Sequence, residues 1–140
     1  MKLLNFELSP DEPTVTIRGA GRDWDLHNFV GLSEARRQGG QVFLTFRPVD
    51  AREPVGAWRA EIHDTAPCTL RFRGVTHFHN TGVAGAGDDT LSLISKLAVD
   101  RQPFLGDAPP AGFRFDMEGG RVIEVCAQSA ELILVESDAA

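Results

Sequence analysis

His77 and His79 stand two residues apart in the stretch CTLRFRGVTHFHN, Cys68 to Asn80, and on a strand that spacing turns both imidazoles to one face. About 6.6 Å of extended backbone separates them, a distance at which two imidazoles can serve one metal ion. A third ligand would have to come from His27, His63, Asp64 or Asp116. The chemistry implied is that of a divalent metal such as zinc, in a metal-binding protein or a metal-dependent enzyme. The plainer reading is a pair of sheet histidines hydrogen-bonded to neighbours, with no cofactor. It takes precedence because a working site must add both ligands and the groups that orient them.

The same stretch carries a second polar set. Cys68, Leu70 and Phe72 alternate with Thr69, Arg71 and Arg73, the period of two that a strand with one buried face requires. Arg71 and Arg73 are thus candidates for binding a partner, set against the commoner role of a solvated face. Gly74 sets the parity of the residues beyond it. An unbroken strand puts Arg71, Arg73, Val75, His77 and His79 on one face; a bulge at Gly74 brings Val75 inward with Leu70 and Phe72, and the histidines after it.

Other constellations carry less. The glycines at 82, 85 and 87 precede a helical pattern, but the loop has no P-loop lysine, and Asp88 and Asp89 would repel a phosphate. Asp23, Asp25 and His27 lie in one local segment with no nucleophile in a recognised setting. Cys68 and Cys126 each sit in an apolar run without CxxC spacing, which reads as two core thiols.

The elements that must position these residues are mostly strands. Two Gly-Gly pairs, Gly39-Gly40 and Gly119-Gly120, predict hairpins, since tight hairpin turns need positive φ. Further strands are expected at residues 5–8, 14–18 and 57–63, the first two near a sheet edge because Pro10 and Pro13 cannot donate to a ladder. Residues 130–136 are apolar on both faces, as a central strand covered on both sides would be. Residues 24–32 fit helix and strand patterns equally. Leu91, Ile94, Leu97 and Ala98 share one helical face, and Asp88 or Asp89 can cap it, so a helix is expected over residues 89–99. The fold class expected is α+β: one domain over residues 1–140, seven to nine mainly antiparallel strands and that one short helix.

Composition narrows the partners. With 14 basic and 20 acidic residues the net charge is -6, and the arginines are spread along the sequence, which disfavours nucleic acid. No apolar run approaches the ~18 residues of a membrane-spanning helix, and the early acidic residues interrupt any signal-peptide core, so a cytoplasmic location without membrane contact is expected.

The order of elements from Trp24-x-x-His27 through Val42–Phe46, Leu70–Val75, Asp89–Ile94, Phe113–Met117 and Val122–Cys126 resembles small uncharacterised bacterial proteins related to immunity proteins of polymorphic toxin systems. In that pattern an acidic residue follows the early histidine, where this chain has Asn28. The resemblance implies a non-catalytic module that occludes a toxin, and it carries over no catalytic residues. The expected function is therefore binding to another protein, a toxin or a second copy of the chain meeting it along a strand edge. An acidic chain would suit a basic toxin nuclease.

Overall fold

Alternating burial builds the frame of this protein. The structure, a computed structural model, describes residues 1–9, 14–27, 30–48, 67–81, 90–104 and 109–134. Those residues form twelve strands and no helix. A five-stranded sheet contains β1 (Lys2–Leu4), β5 (Val30–Gln38), β6 (Gln41–Pro48), β7 (Cys68–Arg73) and β12 (Ser129–Leu134), in the order β1-β12-β7-β6-β5. A four-stranded sheet contains β8 (His77–Thr81), β9 (Leu91–Leu97), β10 (Gly112–Met117) and β11 (Val122–Cys126), in the order β8-β11-β10-β9. The smallest joins β2 (Glu7–Leu8), β3 (Thr16–Gly19) and β4 (Arg22–Asp25). Among the described residues only the β1–β12 pair is parallel.

The α+β expectation is corrected to all-β, because the segment expected as a helix over 89–99 holds the strand β9 at Leu91–Leu97 and the described residues contain no helix. Its helical spacing has a physical origin. Met117 pairs with Leu91 but Asp116 pairs with Leu93, so Ser92 is an extra residue in a bulge. The bulge reverses the alternation and lets Leu91 and Ile94, three residues apart, both enter the core. Leu97 is buried from the opposite face, where it pairs with Gly112.

Gly74 also bulges, and it does more than change parity. Arg73 pairs with Ser129 and His77 with Cys126, which leaves three residues, 74–76, opposite two, 127–128. Gly74 has φ 65°, and Gln128 N–H is 3.0 Å from Arg73 O and 3.1 Å from Gly74 O. At this corner β7 becomes β8 and β11 becomes β12, so a two-stranded ribbon passes from the five-stranded sheet into the four-stranded one, a bend that bulges allow. Val75 and Phe78 pack against the core while His77 and His79 face outward. The expected single strand through Asn80 is therefore two strands in two sheets.

The core lies between these sheets. Leu44, Phe46, Leu70, Phe72 and Leu132 come from the first; Ile94, Phe113, Phe115, Ile123 and Val125 from the second; Ile17 and Trp24 from the third. On the other face of the first sheet Thr45 and Thr69, both buried, share a hydrogen bond of 3.0 Å between their hydroxyls. The final strand is less central than its composition suggested, since β12 lies next to the edge strand β1 and Leu134 is 39% exposed. Within residues 24–32, Trp24 and Asp25 are strand, Leu26 and His27 form a turn and residues 30–32 are strand, while 28 and 29 lie outside the described residues. The expected strand at 57–63 and the glycine loop at 82–87 lie outside the described residues. Among the described residues no helix is long and apolar enough to cross a membrane.

Both Gly-Gly hairpins form. Gly39 has φ 62° between Gln38 and Gln41, and Gly120 has φ 94° in the β10–β11 turn. A third tight hairpin joins β3 to β4 through Ala20 and Gly21, with φ 54° and 74°. Positive φ at both central residues is the pattern that Asn-Gly suits best, and an alanine in it is strained by about 1–2 kcal/mol. Ala20→Asn should stabilise the protein by about 0.5–1 kcal/mol, read as a higher urea midpoint at unchanged m-value. An unchanged or lower midpoint would show that the turn is not under this strain.

Candidate functional site

Two outer sheet faces collect the polar side chains, and each holds one of the sets read from the sequence. On the four-stranded sheet, β8 turns His77 and His79 outward together, as their spacing required. Their rings are near parallel, 17° apart, with centroids separated by 6.3 Å. β11 places Glu124 directly opposite His79, and its carboxylate reaches diagonally to His77, with Oε1 3.1 Å from Nε2. The other oxygen of Glu124 lies 3.7 Å from Nη1 of Arg114, the cross-strand neighbour of Glu124 on β10. Arg114 in turn donates through Nε and Nη2 to Asp116 at 3.1–3.2 Å. Those hydrogen bonds raise the Arg114 pKa; burial opposes them, and the charges of Asp116 and Glu124 add to them. Histidine, glutamate, arginine and aspartate therefore form one chain of contacts across three strands.

The proposed third ligands fall elsewhere. His27 sits by the opposite edge of this sheet, beside β9, where its Nδ1 is 2.8 Å from the Leu91 carbonyl oxygen and 3.4 Å from Glu118. Its backbone N–H donates to the Asp25 carboxylate at 2.9 Å. His27 thus ties the small sheet to the four-stranded one. Asp116 shares the outer face with the histidines but is engaged by Arg114, which stands between them. His63 and Asp64 lie outside the described residues. Among the described residues no three His, Cys, Asp or Glu side chains already stand as a metal site requires. Sequence spacing gave no hint of Glu124, which comes from a strand 45 residues on from His79.

Cys126 pairs directly with His77 across the strands, two residues after Glu124 in the chain. Burial pushes its thiol pKa up, the Glu124 charge adds to this, and Arg101 and the N-terminus oppose it. A buried thiol held in its neutral form is a poor nucleophile, so this neighbourhood does not amount to a cysteine–histidine catalytic pair. Cys68 is buried as well, and neither cysteine is in a disulfide.

The second face is the outside of the five-stranded sheet. Strand pairing sets Glu131, Arg71, Phe43 and Arg36 in one row across β12, β7, β6 and β5. Arg71 is hydrogen-bonded to Glu131 through Nη2, while its buried Nε has no hydrogen-bond partner. The guanidinium of Arg36 lies over the Phe43 ring, 4.5 Å from its centroid. The next row brings Arg73 beside Ser129 and Gln41, with Lys2 opposite Ser129 on β1. Arg47 shares the parity of Phe43 and Thr45. Lys2, Arg47 and Arg73 are exposed. Among the described residues, basic side chains that are scattered in sequence thus gather on one face: Lys2, Arg36, Arg47, Arg71 and Arg73 against Glu34 and Glu131.

No family model, curated protein or solved structure matches this chain. The likeness to immunity proteins accordingly has no independent match behind it. A shallow cleft of about 370 Å³ lined by Phe6, Glu7, Arg18, Gly21, Arg22 and Asp23 completes the candidates. It is open and small, at the lower end of volumes that hold ligands.

Proposed function

We propose that the chain is a non-catalytic protein-binding module, in the manner of an immunity protein, and that it meets its partner with the outer face of the five-stranded sheet. One observation carries the reading: in a chain of net charge -6, the described residues set five basic side chains against two carboxylates on a single sheet face. Segregation of this kind steers encounter and selects a partner by charge. Arginines beside an aromatic ring are also the residue types that dominate binding energy at protein interfaces. The charge of the face favours an acidic partner surface over the basic nuclease that the net charge alone suggests. Two such faces would repel, so a second copy is a poorer partner here. The exposed end of the edge strand β5 carries Glu34, Arg36 and Arg37, charges that discourage edge pairing.

Co-expression with the product of the adjacent gene, followed by size-exclusion chromatography and titration of the purified pair, tests this. Arg36→Glu with Arg73→Glu should weaken a complex at least thirtyfold, about 2 kcal/mol, and flatten its salt dependence while the fold is kept. A complex that survives both reversals would remove this face from the reading.

A further inference from the structure

We propose that His77, His79 and Glu124 bind one divalent transition-metal ion on the outer face of the four-stranded sheet. The three come from two neighbouring strands and share one patch: the histidines alternate outward on β8, and Glu124 stands opposite His79 while touching His77. Two imidazoles and a carboxylate are a ligand set that zinc accepts, with a water in the fourth position. The nitrogen content of this set favours zinc, nickel or copper over magnesium or calcium.

The donors need one adjustment to converge. Two nitrogens on a single zinc are at most about 4.2 Å apart, twice the Zn–N bond length. The rings are stacked near parallel, with centroids 6.3 Å apart, and turning one ring aims both imidazoles at a common ion. His79 is the ring free to do so, because it is exposed and rests in a stack on His77. An exposed side chain changes rotamer within nanoseconds and at little cost. His77 and Glu124 are already 3.1 Å apart and need only exchange their mutual contact for the ion.

The surroundings suit a ligand carboxylate. Glu124 is held from behind by Arg114, and Arg114 is held by Asp116. Ligating carboxylates are commonly oriented by such an outer layer of hydrogen bonds. Glu124 also supplies the carboxylate that no nearby residue in the sequence provides.

The test uses the full chain without a histidine tag, titrated with zinc sulfate in a calorimeter and with cobalt(II) as a visible-absorption probe. One equivalent of zinc should bind, the melting temperature should rise, and cobalt should show the intense bands of a tetrahedral nitrogen–oxygen site. His79→Ala and Glu124→Gln should each weaken zinc binding at least tenfold, and His27→Ala, on the far edge of the sheet, should leave it unchanged. The proposal fails if zinc releases no heat and does not move the melting temperature. It fails equally if binding persists in the His77→Ala/His79→Ala double variant, or if His27→Ala abolishes it.

Discussion

Gly112→Ala should destabilise this protein by about 3 kcal/mol or more and lower its melting temperature by roughly 10 °C. Gly112 begins β10, a central strand of the four-stranded sheet, opposite Cys126 of β11 and Leu97 of β9. A methyl group added there would lie 2.0 Å from the Val125 carbonyl oxygen, 2.7 Å from Cys126 Cα and 2.8 Å from its Sγ. Two of those atoms are backbone of a paired strand, so relief requires moving β11. That strand cannot move alone, because it runs through the corner into β12 and holds β8 on its other side. The control is Gly40→Ala, whose new methyl meets nothing within 4 Å and should change stability by less than about 0.5 kcal/mol. Denaturant titration of both variants decides the matter, and equal small effects would show that β10 and β11 are not packed this closely.

The two larger sheets show where sequence reading succeeds and where it stops. Hairpins were legible because Gly39 and Gly120 adopt positive φ that few other residues tolerate, a local requirement written locally. Leu70 and Phe72 were legible as core because their strand is regular between paired neighbours. Irregularity is what hid the rest. Ser92 as an extra residue gave β9 the three-residue spacing of a helix, and only its partner β10 reveals the bulge. Gly74 was readable as a possible bulge, but not as the point where the chain changes sheets, since that depends on Gln128 opposite it.

Candidate sites obey the same rule. His77 and His79 are neighbours in the chain and their shared face followed from the period of two. Glu124, Arg114 and Asp116 join them only through cross-strand register, which no local pattern encodes. The basic face is a stronger case. Arg36, Arg47 and Arg71 lie on three strands, and scattered in sequence they argued against any concentration of positive charge. Pairing reverses that argument by setting them on one face, Arg36 and Arg71 in the same row on either side of Phe43.

Trp24→Ala should cost about 3–5 kcal/mol, a large share of the ~5–15 kcal/mol that holds a domain of this size together. The loss should fall first on the small sheet. Strands of two, four and four residues cannot form a stable sheet alone, so β2, β3 and β4 depend on what they bury. Trp24 is fully buried, paired with Ile17 across the β3–β4 ladder, and Leu26 follows it into the core. Hydrogen bonds complete the attachment: Leu91 N–H to Leu26 O at 3.0 Å and Ile94 N–H to Thr14 O at 2.8 Å. These bonds also cover the β9 edge of the four-stranded sheet. Removing the indole leaves a cavity under the whole attachment, and amide exchange should speed up over residues 14–26 and at Leu91 and Ile94 before it does in β6 and β7. Trp24→Phe keeps an aromatic ring and should cost less than half as much. If Trp24→Ala lost less than about 1 kcal/mol, or if exchange rose equally in all three sheets, the small sheet would not be held by this side chain.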